Sequence, residues 1–165
     1  MLLKKLFIIR HAKSDQSFYG NDFERPLNDR GKKDAPMMAE RLIKQQKNID
    51  AFVASPAKRA KQTAEAFATA YKAAADKIIF FSALYHAAAN VFYEVIVSLP
   101  DNLHTVAIFS HNPGITYFVN SLQTKVSVDN MPTCGIFAVQ VDIEHWKDFL
   151  TAGKTCLFFD YPKLI

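Results

Sequence analysis

Leu6-Phe7-Ile8-Ile9-Arg10-His11-Ala12-Lys13-Ser14 is the stretch whose reading decides the fold. Its apolar run is short, rich in isoleucine and bounded by polar residues, the pattern of a buried strand rather than a helix. Arg10 and His11 then leave the strand at its carboxyl end. Ligands of open α/β sheets sit at that edge. A strand tip with a guanidinium and an imidazole would bring positive charge and a potential nucleophile to it.

The rest of the chain alternates in the same manner. A polar stretch from Ser14 to Asn28, with Gly20 and Pro26, reads as a long loop, and long loops in compact domains are often functional. Ala35, Met38, Ala39, Leu42 and Ile43 recur at helical spacing and predict an amphipathic helix over Lys32–Gln46, capped by Asn28 or Asp29. Pro36 leaves two readings: a helix that starts early and contains it, or one that starts nearer Asp34. Strands are predicted at 51–54, 78–81, 105–109, 135–141 and 155–159. Helices are predicted over Ala57–Ala75, Val91–Leu99 and Thr116–Leu122, with a turn or short helix at Trp146–Leu150. The last two strands lack a long helix between them and predict an antiparallel pair. The alternation gives a three-layer α/β/α fold, with a mostly parallel central sheet and helices on both faces. The 165 residues fit a single domain.

Composition excludes several classes. Half of the residues are hydrophobic and 22% are charged, as in an ordinary globular protein with a sizeable core. No apolar run is long enough to span a bilayer, and Met1-Leu2-Leu3-Lys4-Lys5 lacks the features of a signal peptide, so a cytoplasmic protein without membrane partners is expected. Cys134 and Cys156 have no metal-type spacing and are expected to be reduced. The net charge of +4 mildly favours anionic partners. The basic residues are dispersed, which gives no support for nucleic-acid binding. No carboxylate cluster suggests a metal, and no cofactor is expected. The oligomeric state is not encoded in any feature of the sequence.

The chemistry gathers at strand ends. One strand ends in Arg10-His11 and another in Ser110-His111. Adjacent parallel strands would place both histidines on one rim. Ser55-Pro56-Ala57-Lys58-Arg59 ends a third strand and opens a helix, where amides and a guanidinium favour an anion such as phosphate. Together these pieces resemble the histidine phosphatase superfamily, with its phosphoglycerate mutase-like fold, and within it the SixA-like phosphohistidine phosphatases. The resemblance rests on Arg10-His11-Ala12-Lys13-Ser14, on Arg59 within Ser55–Ala64 and on His111 within Ser110–Gly114. Arg25–Gly31, Leu84-Tyr85 and Met131–Gly135 support it in the expected order. It implies that His11 attacks phosphorus and that Arg10, Arg59 and His111 hold the phosphoryl oxygens, with Ser14 at the phosphate rim. The substrate it implies is a phosphohistidine protein or a small phosphorylated compound.

One departure stands out. Many members of the superfamily carry a glutamate general acid after the third strand, where this chain reads Leu84-Tyr85-His86-Ala87. The acid is then His86, or a loop carboxylate such as Asp22 or Glu24, or little acid is needed because imidazole leaves more easily than an alkoxide. The missing carboxylate also admits a second function, a weak or inactive module of the same fold that binds phosphate or a phosphoprotein. Several residues have bland readings too. His11 is then held by a strand-end carbonyl, and Lys13 and Ser14 are solvated. Arg25 bridges Asp22 and Glu24 instead of reaching the pocket, and Thr133 stabilises a turn. His104 and His145 are expected at the surface, and Phe80, Phe81, Phe158 and Phe159 in the core.

Overall fold

The computed structural model describes residues 3–164. One six-stranded sheet has the order β3-β2-β4-β1-β5-β6. The strands are β1 (Leu3–Arg10), β2 (Ala51–Ala54), β3 (Ile78–Phe80), β4 (Thr105–Ser110), β5 (Ile136–Asp142) and β6 (Lys154–Asp160). β1, β2, β3 and β4 pair in parallel, whereas β5 runs antiparallel to both β1 and β6. The closing antiparallel pair read from the sequence is therefore present.

The period-two alternation of the strands splits the core into two layers. Leu6, Ile8, Val53, Val106, Ile108, Phe137 and Val139 face α3 (Ala89–Val97) and α4 (Gly114–Ser121). Phe7, Ile9, Phe52, Ala54, Ala107, Phe109 and Ala138 face α1 (Asp29–Gln45) and α2 (Lys58–Ala70). Side chains such as Ile8, Ile9 and Phe109 are fully buried, and each contributes roughly 1.5–3 kcal/mol. β1 lies at the centre of the sheet, and Arg10 stands opposite Ser110 in its register with β4. The two histidine-bearing strand ends are thus neighbours.

Boundaries differ from expectation where backbone chemistry overrides periodicity. α1 starts early, because the Asn28 side chain accepts from the Gly31 amide, and the helix runs through Pro36, which is exposed. α2 stops at Ala70 rather than Ala75. Lys72 takes a left-handed φ of 57°, and the Ala73 and Lys72 amides bond back to Ala68 and Thr69. This is the closing motif that glycine usually supplies, so propensity alone gave no stop. Phe80 is a second correction: it is exposed on edge strand β3, under the Lys61 ammonium, rather than in the core. Phe81, Phe158 and Phe159 are partly buried against the two core layers.

Gly31 seats the first turn of α1 against the loop that follows β1. A Cβ there would stand 2.1 Å from the Lys13 carbonyl oxygen. Gly31→Ala is expected to lower the unfolding free energy by about 1–3 kcal/mol through overpacking, measured by urea titration. An unchanged midpoint would show that the Lys13 backbone yields without cost.

Candidate active site

Arg10, His11, Ser14, Arg59, His86 and His111 line one cavity of about 360 Å³ at the carboxyl edge of the sheet, with Lys13, Asp22, Arg25 and Thr133. The sequence therefore named side chains that the fold brings together. His11 and His111 are buried, with ring centroids 5.2 Å apart. The backbone beneath them is pinned from three directions. The His11 amide donates to Ser110, the Cys134 amide donates to the Arg10 and His11 carbonyls, and the Ala12 amide donates to Thr63 Oγ1. Thr63 in turn donates to the Arg59 carbonyl one helical turn earlier, which ties α2 to the residue beside His11.

The hydrogen bonds assign the His11 tautomer. His11 Nδ1 lies 2.7 Å from the Ala12 carbonyl oxygen, which can only accept. The ring proton is therefore on Nδ1 and Nε2 is bare. The bland reading of His11 holds for one nitrogen and frees the other. His111 Nε2 lies 2.7 Å from Ser55 Oγ, which already accepts from the Ala57 amide. Where the serine donates its proton to Nε2, His111 carries its own proton on Nδ1.

Among the described residues, the buried side-chain polar atoms without a partner are Arg10 Nε, Arg59 Nε and His111 Nδ1. All three belong to residues that line this cavity. The tips of both arginines are tethered elsewhere. Arg10 Nη1 donates to the Met131 carbonyl, and Arg59 Nη1 and Nη2 donate to the backbone oxygen and Oδ2 of Asp22. Unpartnered buried donors each carry a desolvation penalty of about 1–3 kcal/mol. The charges of Arg10 and Arg59 beside the cavity favour an anion in it.

Asp22 is the residue that sequence reasoning left among several loop carboxylates. It sits in a 3-10 turn at Asp22–Glu24. Its Oδ2 accepts from Arg59 and from the Tyr85 hydroxyl at 2.7 Å, and its Oδ1 accepts from Arg25 Nη2 at 3.0 Å. Arg25 Nη1 also donates to Ser14 Oγ, so both expectations for Arg25 hold in part: it reaches the cavity and pairs with Asp22. Ser14 is buried, and its hydroxyl oxygen accepts from Arg25 and Gln16. His86 is exposed, holds φ 56° and places Nε2 4.0 Å from Asp22 Oδ2. Glu24 lines a different depression, with Lys58 and Lys61. Tyr85, Ser55 and Thr63 were missed as functional candidates. Thr63 carried a signal, standing four residues after Arg59 on the same helical face.

The sequence model of the histidine phosphatase superfamily (branch 1) matches residues 6–79, the span that holds Arg10, His11 and Arg59. This part of the chain is similar to the histidine phosphatase superfamily. Two uncharacterized proteins of Mycobacterium tuberculosis are each 27% identical to it over 164 residues, covering 94% of this chain and all of the relative. The fold is similar to that of a putative phosphohistidine phosphatase SixA from Agrobacterium tumefaciens, with TM-score 0.79, 21% identity and 96% and 98% of the two chains covered. It is similar to the protein histidine phosphatase SixA complexed with tungstate, with TM-score 0.80, 23% identity and 96% and 97% covered. The Plasmodium falciparum phosphoglycerate mutase aligns with TM-score 0.69 and 18% identity, over 100% and 95% of the chains. At these identities the three likenesses concern the fold.

The electrostatics of the site hold both imidazoles neutral. Burial, then the charge of Arg59, pushes His111 down to about 3. Burial also pushes His11 well below its ordinary value, with His111, Arg10 and Arg59 adding to the fall. Asp22 is held far below the usual carboxylate range against its own desolvation, by hydrogen bonds from Tyr85 and Arg25 and by Arg59. Among the described residues, no group of three or more His, Cys, Asp or Glu could hold a metal ion. No described helix is long and apolar enough to cross a membrane.

The depressed imidazoles have a consequence for stability. The unfolded chain binds protons at these histidines that the folded chain refuses, so acid favours unfolding. Their contribution is complete above the unfolded value near ~6.5 and falls as pH drops toward about 3 for His111. ¹⁵N imidazole NMR is expected to show His111 neutral at pH 5 with its proton on Nδ1. Urea titrations are expected to show that His111→Gln flattens the loss of stability between pH 6.5 and pH 4. A His111 that titrates near ~6.5 would contradict the assignment.

Proposed function

We propose that the chain is a metal-independent phosphatase that works through a phosphorylated His11 and takes the phosphoryl group from a protein phosphohistidine. The observation that carries this reading is the gathering of Arg10, Arg59 and His111 in one cavity with His11, whose Nε2 is bare. In the first step the Nε2 lone pair attacks phosphorus. The bond from phosphorus to the substrate nitrogen breaks, and the leaving imidazole keeps the electron pair. Water then attacks the phosphorus of phospho-His11, releases inorganic phosphate and restores the imidazole. Both steps need in-line positioning and neutral equatorial oxygens. Two guanidiniums and the His111 N–H supply this. With Arg10, Arg25 and Arg59 around it, the cavity repels a divalent cation and attracts a phosphoryl dianion.

The proton for the leaving group narrows to His86. Asp22 is ionised throughout the neutral range, and Glu24 stands outside the cavity. Asp22 acts instead as a positioning residue. It holds the Arg59 guanidinium at the cavity through Nη1 and Nη2. A phosphoramidate bond needs little acid assistance, which suits an exposed histidine in that role.

The direct test is rapid quench of enzyme with a phosphohistidine peptide, followed by mass spectrometry. One phosphoryl group is expected on the fragment containing His11 and none in His11→Ala, with turnover down by about 10⁴-fold or more. A wild type that binds phosphate but never acquires the adduct would make the chain a binding module. Arg59→Ala is expected to lower kcat/KM by about 10²–10³-fold. Asp22→Asn should lower it by up to ~10²-fold through misplacement of Arg59. His86→Ala should slow an alkyl phosphate more than a phosphohistidine peptide. Undiminished rates on both would remove His86 from the mechanism.

A further inference from the structure

A second cavity, of about 470 Å³, adjoins the first and shares Lys13 and Thr133 with it. Arg30 and Asp34 of α1 form one wall, Pro132 and Thr133 another, and Tyr161, Pro162 and Lys163 the third. Its charge is lopsided. Lys13, Arg30 and Lys163 face one carboxylate, Asp34, which is already paired with Arg30 Nε at 3.2 Å. Lys13 and Lys163 have no ion-pair partner among the described residues.

The third wall is built rather than draped. Arg41 of α1 holds the whole segment through its guanidinium. Nη1 donates to Asp160 Oδ1 and to the Tyr161 and Leu164 carbonyls, and Nη2 donates to the Pro162 carbonyl. One side chain thus fixes a backbone that makes no helix and no strand after Asp160. Nothing in the phosphoryl chemistry of the first cavity requires this arrangement.

We propose that this groove is the docking site for an acidic polypeptide segment flanking the phosphorylated residue of the substrate protein. The inference rests on the phosphatase reading, because the shared Lys13 and Thr133 make the groove an extension of the phosphoryl cavity. Lys13 and Lys163 seat carboxylates. Tyr161 and the two prolines offer flat apolar surface to the backbone between them. A free phosphate or a phosphorylated metabolite fills the first cavity and leaves the second unused. A chain carrying the phosphoryl group has to leave the first cavity along some wall, and this one is cationic and preformed. Complementary charge at such a rim acts on encounter rate and specificity and is screened by salt.

The test has two arms. Turnover of phosphoramidate reads the first cavity alone. Fluorescence anisotropy of two unphosphorylated peptides of equal length, one with glutamates and one with glutamines at the same positions, reads the groove without catalysis. The glutamate peptide is expected to bind about tenfold tighter than the glutamine peptide at low salt. Lys163→Glu and Arg41→Ala should each abolish that preference while phosphoramidate turnover stays at the wild-type level. Equal binding of both peptides, or a preference that survives Lys163→Glu, overturns the proposal. Displacement of the glutamate peptide by pyrophosphate at micromolar concentration would assign the groove to a small polyanion and overturn it too. Absence of phosphoramidate turnover, with Lys163-dependent peptide binding retained, overturns the phosphatase reading and leaves the peptide groove standing.

Discussion

The rest of the structure depends on a set of buried donors left without acceptors. Arg10 Nε, Arg59 Nε and His111 Nδ1 come from β1, α2 and the end of β4, and all three residues line one cavity. A protein gains nothing in stability from such groups. They persist because the surrounding elements over-determine them. Phe7, Ile8 and Ile9 bury β1 on both faces, and the register with β4 sets Arg10 beside Ser110. The central sheet is rigid enough to hold three desolvated donors apart from every internal acceptor.

The same cavity manages its own charge. Arg10, Arg25 and Arg59 repel one another, and that repulsion, after burial, lowers the proton affinity of Arg10. Asp22 offsets part of it by taking the tips of Arg59 and Arg25. The cost falls on the histidines. Desolvation and nearby cations leave them neutral, and neutrality is what an attacking imidazole needs. One electrostatic arrangement therefore serves both anion affinity and nucleophile availability.

Much of this was legible in the sequence because it is local. A short isoleucine-rich run ending in Arg10-His11, and a matching run ending in Ser110-His111, give strand ends whose chemistry is visible without a fold. The two-layer core follows from period-two alternation. What stayed hidden depends on distant contacts or on backbone choices that no side chain announces. Asp22 meets Tyr85 across a separation in sequence that no spacing rule covers. The stop of α2 at a left-handed Lys72 uses a residue without glycine's conformational signature. Phe80 looked like core because it stands in an apolar strand run, whereas β3 is the edge of the sheet. The Arg41 clamp on residues 160–164 joins a helix to a segment with no periodic pattern at all.

The central claim is that the three unpartnered donors are the seat of a transferring phosphoryl group in line with His11. A crystal structure with orthovanadate tests it most directly. Vanadium is expected within bonding distance of His11 Nε2, with its equatorial oxygens about 2.7–3.2 Å from Arg10 Nε, Arg59 Nε and His111 Nδ1. Vanadate bound away from His11, or bound there with those three donors still unpaired, would contradict the account.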